Sequence, residues 1–180
     1  NTAVHPQVQQ ITLKGVPDTT TLTSGLLTGA INGTYAAGLN TLDQLKASKA
    51  VRVTQGPGWS SDLFIVSNFK GALGNLKVRQ ALSLAVNRQS IINSVYKGAA
   101  LLPRWIANPG TFGYGGQVFA KAYASSPVMT QNLAQAKKLI SQAGATGQTI
   151  TIGMSSQLSD IAAVAGAYQS AAQAIGLKVV

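Results

Sequence analysis

QTITIGMSSQLSDIAAVAGAYQSAAQAIGLKVV, Gln148 to Val180, is the stretch on which the architecture turns. QTITIGM (Gln148–Met154) reads as a strand. A polar loop, SSQLS, follows, and Ser159 can cap a helix whose apolar stripe is Ile161, Val164, Ala165, Tyr168, Ala172 and Ile175. Gly176 is placed to stop that helix, and LKVV begins a second strand. Strand, helix and strand within 33 residues make a β-α-β unit, the connection that puts two strands side by side in parallel.

Working outward, Ala136, Leu139, Ile140 and Ala143 predict a helix over about Asn132–Ala143 with Gly144 at its end. In VRQALSLAVNRQSIINSVYKG (Val78–Gly98), Val78, Ala81, Leu82, Ala85 and Val86 recur at i, i+3, i+4, i+7 and i+8, so one helical face must be buried. Ile91, Ile92 and Val95 continue on a second helix ending before Gly98. Between Ala99 and Met129 no period survives, and Pro103, Pro109, Pro127 and the run GTFGYGG (Gly110–Gly116) predict a long surface loop. Nearer the start, strands are expected at Gln10–Pro17, Ala50–Thr54 and Ser61–Asn68. Short helices are expected around Leu22–Ala30, capped by Asp18 or one of Thr19–Thr21, and over Thr41–Ser48 with Leu42 and Leu45 inward. Helices and strands interleaved in this way predict an α/β fold over 1–180, with a mixed, at least partly parallel sheet flanked by helices.

Composition narrows the chemistry. The chain has 180 residues, 46% of them apolar and only 10% charged, so it can bury a core and is not disordered. Its longest apolar run, Ile161–Tyr168, falls well short of the roughly 20 residues of a membrane-spanning helix. Cysteine is absent, Glu is absent, the 4 acids are Asp18, Asp43, Asp62 and Asp160, and the single His is His5. General acid/base catalysis has almost no raw material here, a metal site has no ligand cluster, and no cofactor is implied. A net charge of +10 invites a basic nucleic-acid or anionic-surface binding module as an alternative. The 14 basic residues, however, are dispersed from Lys14 to Lys178, with one adjacent pair, Lys137 and Lys138, which favours a solvated face and no nucleic-acid partner.

The run NLKVRQALSLAVNRQSIINSVYKGAA (Asn75–Ala100), preceded by FIVSN (Phe64–Asn68), resembles the signature stretch of the extracellular solute-binding proteins of family 5. These are the peptide, nickel and opine type receptors of ABC importers. AQAKKLISQAGATGQTITIGMSSQ (Ala134–Gln157) and DQLKASKAVRVTQGPG (Asp43–Gly58) are similar to later and earlier parts of that family, so the resemblance spans nearly the whole chain. Where the family commonly has Asp before the second arginine of the signature, this chain has Asn87. Arg79 and Arg88 are expected to be structural, solvated or paired while Leu82 and Val86 pack.

The resemblance implies one lobe of a two-lobed periplasmic-binding-protein-like fold, closing on a small polar solute such as a peptide. Its partners would be the second lobe of a longer parent chain and the permease subunits of an ABC transporter. The setting would be extracellular or periplasmic, as a lipoprotein or otherwise membrane-anchored parent, and Asn1–Gln10 shows no secretory signal, as expected of a mature or excised segment. A binding protein of this kind is not an enzyme.

Ligands of open α/β sheets gather at the carboxyl ends of strands, which points to Ser155, Ser156 and Gln157. The same three residues also suit ordinary turn and capping chemistry. Trp59, in the turn after Gly58, could stack on a ligand or pack in the core. Trp105 with Arg104 and Asn108 could line a cleft, or anchor the long loop to the surface.

Overall fold

The computed structural model describes residues 7–56, 58–155 and 159–180, and the chain divides into two compact units, Asn1–Thr54 and Gln55–Val180.

In the first unit, helix α1 (Thr19–Thr28) starts at Asp18, whose carboxylate accepts from the Thr21 amide and hydroxyl, each at 2.7 Å. The Thr21 hydroxyl first, then its amide, holds the Asp18 carboxyl below its ordinary pKa. Gly29 ends the helix at φ 78°, a left-handed conformation that glycine adopts without a Cβ clash. A 3-10 turn, Leu39–Thr41, leads into α2 (Leu42–Ala47), which buries Leu42 and Leu45 as its spacing predicts.

Neither strand expected in this unit forms. Gln10–Pro17 and Ala50–Thr54 have no ladder partner among the described residues. Ile11 and Leu13, the apolar side of the first, are left exposed. Alternation gives a segment a face to bury, but a strand also needs a neighbour to accept its backbone hydrogen bonds.

The second unit holds the signature helices, α3 (Leu76–Ala85) and α4 (Arg88–Ser94), followed by α5 (Gly116–Ser125) and α6 (Leu133–Gln142). Strand β1 (Thr149–Ile150), α7 (Ser159–Ala174) and β2 (Lys178–Val179) complete it. The β-α-β reading holds: β1 and β2 pair in parallel, Thr149 opposite Lys178 and Ile150 opposite Val179. Bonds from Lys178 N to Gln148 O (2.9 Å) and from Ile152 N to Val180 O (3.0 Å) extend the pairing to either side. The sheet has only these two strands among the described residues, smaller than the mixed sheet expected. Ser61–Asn68 forms no strand among the described residues, which corrects the expectation there.

The start of α6 meets the end of α3, where Asn132 N donates to Leu84 O and the Gln131 amide to Ala85 O, both at 2.8 Å. Ala81, Ala85 and Ala136 are fully buried in this core, and such small side chains let helices approach closely. Val78, Leu139, Ile140, Ile150, Ala172, Ile175 and Leu177 join them in one apolar cluster drawn from α3, α6, α7, β1 and the link from α7 to β2. Val86, Ile91 and Val164 form a second, with Tyr96 and Tyr168 packed against it.

The long loop expected over 99–129 is corrected. A 3-10 turn, Pro109–Thr111, interrupts it, and the ten-residue α5 closes with the Tyr123 carbonyl accepting from Ser126 N at 3.1 Å. GTFGYGG is therefore not simply a flexible loop: Phe112 packs on Phe119 and Tyr123, with ring centroids 5.8 Å apart in both pairs.

Candidate functional site

Two parts of the second unit meet the segment 58–64 that carries Trp59: 104–112, and Tyr96 just past α4. Asn108 is the centre of the junction. Its side-chain nitrogen donates to Ser60 O at 3.1 Å and Ser61 Oγ at 2.9 Å, while its oxygen accepts from Gly110 N at 2.8 Å. At Gly110 the backbone lies so close to the Gly58 carbonyl that an added Cβ would collide with it. Trp59, between these bonded residues, is 80% exposed.

Beyond the turn the same segment is held twice more. The Tyr96 hydroxyl donates to Asp62 Oδ2, and Phe64 lies over Tyr168 with centroids 4.1 Å apart. Burial first, then the hydrogen bond to Asp62, pushes the Tyr96 hydroxyl well above the ordinary tyrosine pKa of about 10. Because the folded pKa is raised, this contribution is complete below about pH 10 and is lost as pH rises through the folded value. A near-ultraviolet tyrosinate titration should show one late-ionising tyrosine that Tyr96→Phe removes, and an unchanged curve would exclude the contact.

Arg104 and Trp105 face a different task. Arg104 donates to the Ser126 carbonyl at the end of α5, where a cation is favoured by the helix dipole. Trp105 meets Tyr123 edge to face at 5.8 Å, and the Tyr123 hydroxyl donates to Leu102 O at 3.3 Å. Residues 102–105 are thereby anchored to α5.

Ser155 is exposed after β1 and shares no hydrogen bond with Trp59, Trp105 or Arg104 among the described residues. Ser156, Gln157 and the side chain of Ser159 lie outside the described residues, as does His5. The structure thus brings Trp59 and Asn108 to one place, and among the described residues it does not join them to Ser155.

The signature arginines serve the backbone. Arg79 donates to Leu73 O (2.8 Å) and Gly74 O (3.0 Å) and lies 5.3 Å from the centroid of Phe69. Arg88 reaches back to Ser83, donating to its carbonyl at 2.7 Å and its hydroxyl at 3.1 Å. Asn87 caps α4 by accepting from Ser90 N at 2.9 Å, a role an Asp would fill equally.

Sequence reasoning missed Gly110, Tyr96 and Tyr123 as parts of this framework. Phe119, Ala122 and Tyr123 do sit at helical spacing, but the glycines and prolines flanking them mask the period.

The family model for bacterial extracellular solute-binding proteins, family 5 Middle, matches residues 3–180. The dipeptide-binding protein of Escherichia coli is 32% identical over 101 residues, covering 56% of this chain and 17% of its own length. Heme-binding protein A of Haemophilus influenzae is 26% identical over 137 residues, 76% of this chain and 24% of the relative. Among solved structures, the ABC transporter-associated periplasmic binding protein DppA from Helicobacter pylori, in complex with peptide STSA, aligns with TM-score 0.69 and 25% identity. That alignment covers 92% of this chain and 30% of the other. NikA from Brucella suis, in complex with Fe(III)-EDTA, aligns with TM-score 0.73 and 19% identity over 99% of this chain and 38% of the other, a likeness of fold. The α/β, periplasmic-binding-protein-like fold expected from the sequence is therefore the one observed. The chain spans about a quarter or less of the curated relatives it matches.

Proposed function

Because the chain belongs to the bacterial extracellular solute-binding proteins of family 5, we propose that it is part of the solute-capturing component of an ABC importer, and that its solute is a short peptide. The observation that carries the reading is the match of the family model over 3–180, joined to an alignment with a peptide-complexed periplasmic binding protein. Capture of this kind works by differential contact between open and closed states and needs no reacting group. That suits a chain with 4 dispersed Asp, one His and no Cys, and the reading makes it a non-enzyme.

Trp59 and Ser155 are the side chains offered to solute, with Ser156 and Gln157 beside the latter. Arg104 and Trp105 act through the framework that holds 102–105. An exposed aromatic suits a peptide, whose side chains and amide planes stack on it without demanding one sequence. Permease subunits, a second lobe and a membrane-anchored parent outside the cytoplasmic membrane belong to the same proposal.

Retention of a random tetrapeptide library by the purified protein tests it. Capture is expected to be nearly independent of salt and to fall about tenfold in Trp59→Ala, the scale of one stacked aromatic. Failure to retain any peptide, with duplex DNA bound instead and affinity falling linearly in log salt, would overturn the reading.

A further inference from the structure

Trp59 is largely exposed and takes part in none of the ring–ring contacts among the described residues. What fixes it acts on the residues to either side. Gly58 is met by Gly110, Ser60 and Ser61 are gripped by the Asn108 amide, and Asp62 is bonded to Tyr96. One side chain, Asn108, performs two separable jobs there. Its oxygen caps the turn at Pro109–Thr111, and its NH2 group crosses to the other segment.

We propose that Asn108 is a positioning residue for Trp59: the two hydrogen bonds its amide donates to Ser60 and Ser61 hold the turn so that the indole meets a peptide already placed. This rests on the reading of Trp59 as a solute contact. An unclasped turn would have to be ordered at each binding event, and that ordering subtracts from affinity. No acceptor can replace the amide at the Ser60 carbonyl, which only accepts, whereas the Ser61 hydroxyl can turn to donate.

Asn108→Asp separates the two jobs, since a carboxylate keeps the cap on Gly110 N but has no hydrogen to give the Ser60 carbonyl and retains at most a bond accepted from the Ser61 hydroxyl. The chain has two tryptophans, so Trp105→Phe leaves Trp59 as the sole indole reporter. In that background Asn108→Asp is expected to lower the fluorescence anisotropy of Trp59 and raise its quenching by acrylamide, with the far-ultraviolet spectrum and urea midpoint unchanged. Retention of the random tetrapeptide library should weaken about two- to tenfold. Asn108→Ala should do the same to the indole while also losing the cap, and Asn108→Gln, which keeps an amide, should lose less.

Anisotropy unchanged in both Asn108→Asp and Asn108→Ala would overturn the clasp itself. Anisotropy lowered as expected, while Trp59→Ala leaves tetrapeptide retention intact, would instead overturn the premise about solute and leave the mechanical link standing. Reading mobility and retention separately keeps the two failures apart.

Discussion

Ile140→Ala is expected to lower the unfolding free energy of the Gln55–Val180 unit by about 2–5 kcal/mol, the range for truncating a well-packed aliphatic side chain. Ile140 is 1% exposed and lies in the cluster that joins α3 and α6 to α7 and the two strands. Its neighbours give little means of closing the gap. Ala81, Ala85 and Ala136 are already the smallest side chains with a Cβ, and the helices they line are tied at one end by Asn132 and Gln131. Part of the cost is lost transfer energy and part is the cavity that rigid surroundings leave behind. Urea denaturation followed by circular dichroism checks this, with Leu76→Ala, at an exposed position of α3, as the comparison and expected within about 0.5 kcal/mol of the parent. Equal losses at both positions would mean that the core is not where the structure puts it.

Arg88→Ala has the next largest expected effect, about 1.5–3 kcal/mol, the usual scale for a hydrogen bond to a charged group. The guanidinium satisfies one of the last carbonyls of α3, at Ser83, and the hydroxyl of the same residue. It does so across the break at Val86–Asn87, where extended backbone separates α3 from α4. Arg88→Lys should recover only part of the loss, because an ammonium is a point donor and cannot present two parallel N–H groups to one residue. The same denaturation experiment measures both variants. A lysine variant as stable as the parent would reduce the role of Arg88 to its charge.

How much of this could be read in advance follows a physical division. The helices of the second unit were legible because their apolar positions face a core that the same helices supply. Val78, Ala81 and Ala85, and Ala136, Leu139 and Ile140, are all buried as their spacing predicts. The β-α-β unit was legible for a related reason, since its two strands are joined by the helix that covers them. The strands expected at Gln10–Pro17, Ala50–Thr54 and Ser61–Asn68 fail because pairing is a property of two segments, and alternation reports on one. Helix α5 was hidden by a converse effect. It is tied to Leu102, Arg104 and Trp105, partners that lie outside any window confined to the helix.

The candidate site divides in the same way. Trp59 was visible as an aromatic beside glycine, and the structure leaves it exposed on a turn. Its support was not visible, because Asn108 lies 48 residues from Ser60 and Tyr96 lies 34 from Asp62. Arg104 and Trp105 were legible only as chemistry. Their partners on α5 assign them to the framework, and no spacing in the sequence announces that assignment.

The close approach of Gly110 to Gly58 has an evolutionary corollary. Because main chain rests on main chain there, the seat is indifferent to whichever side chain protrudes from position 59. A descendant could trade the indole for a smaller or charged group and inherit the same platform. On the proposed reading of Trp59 as a solute contact, preference for cargo can drift at that residue without renegotiating the architecture beneath it.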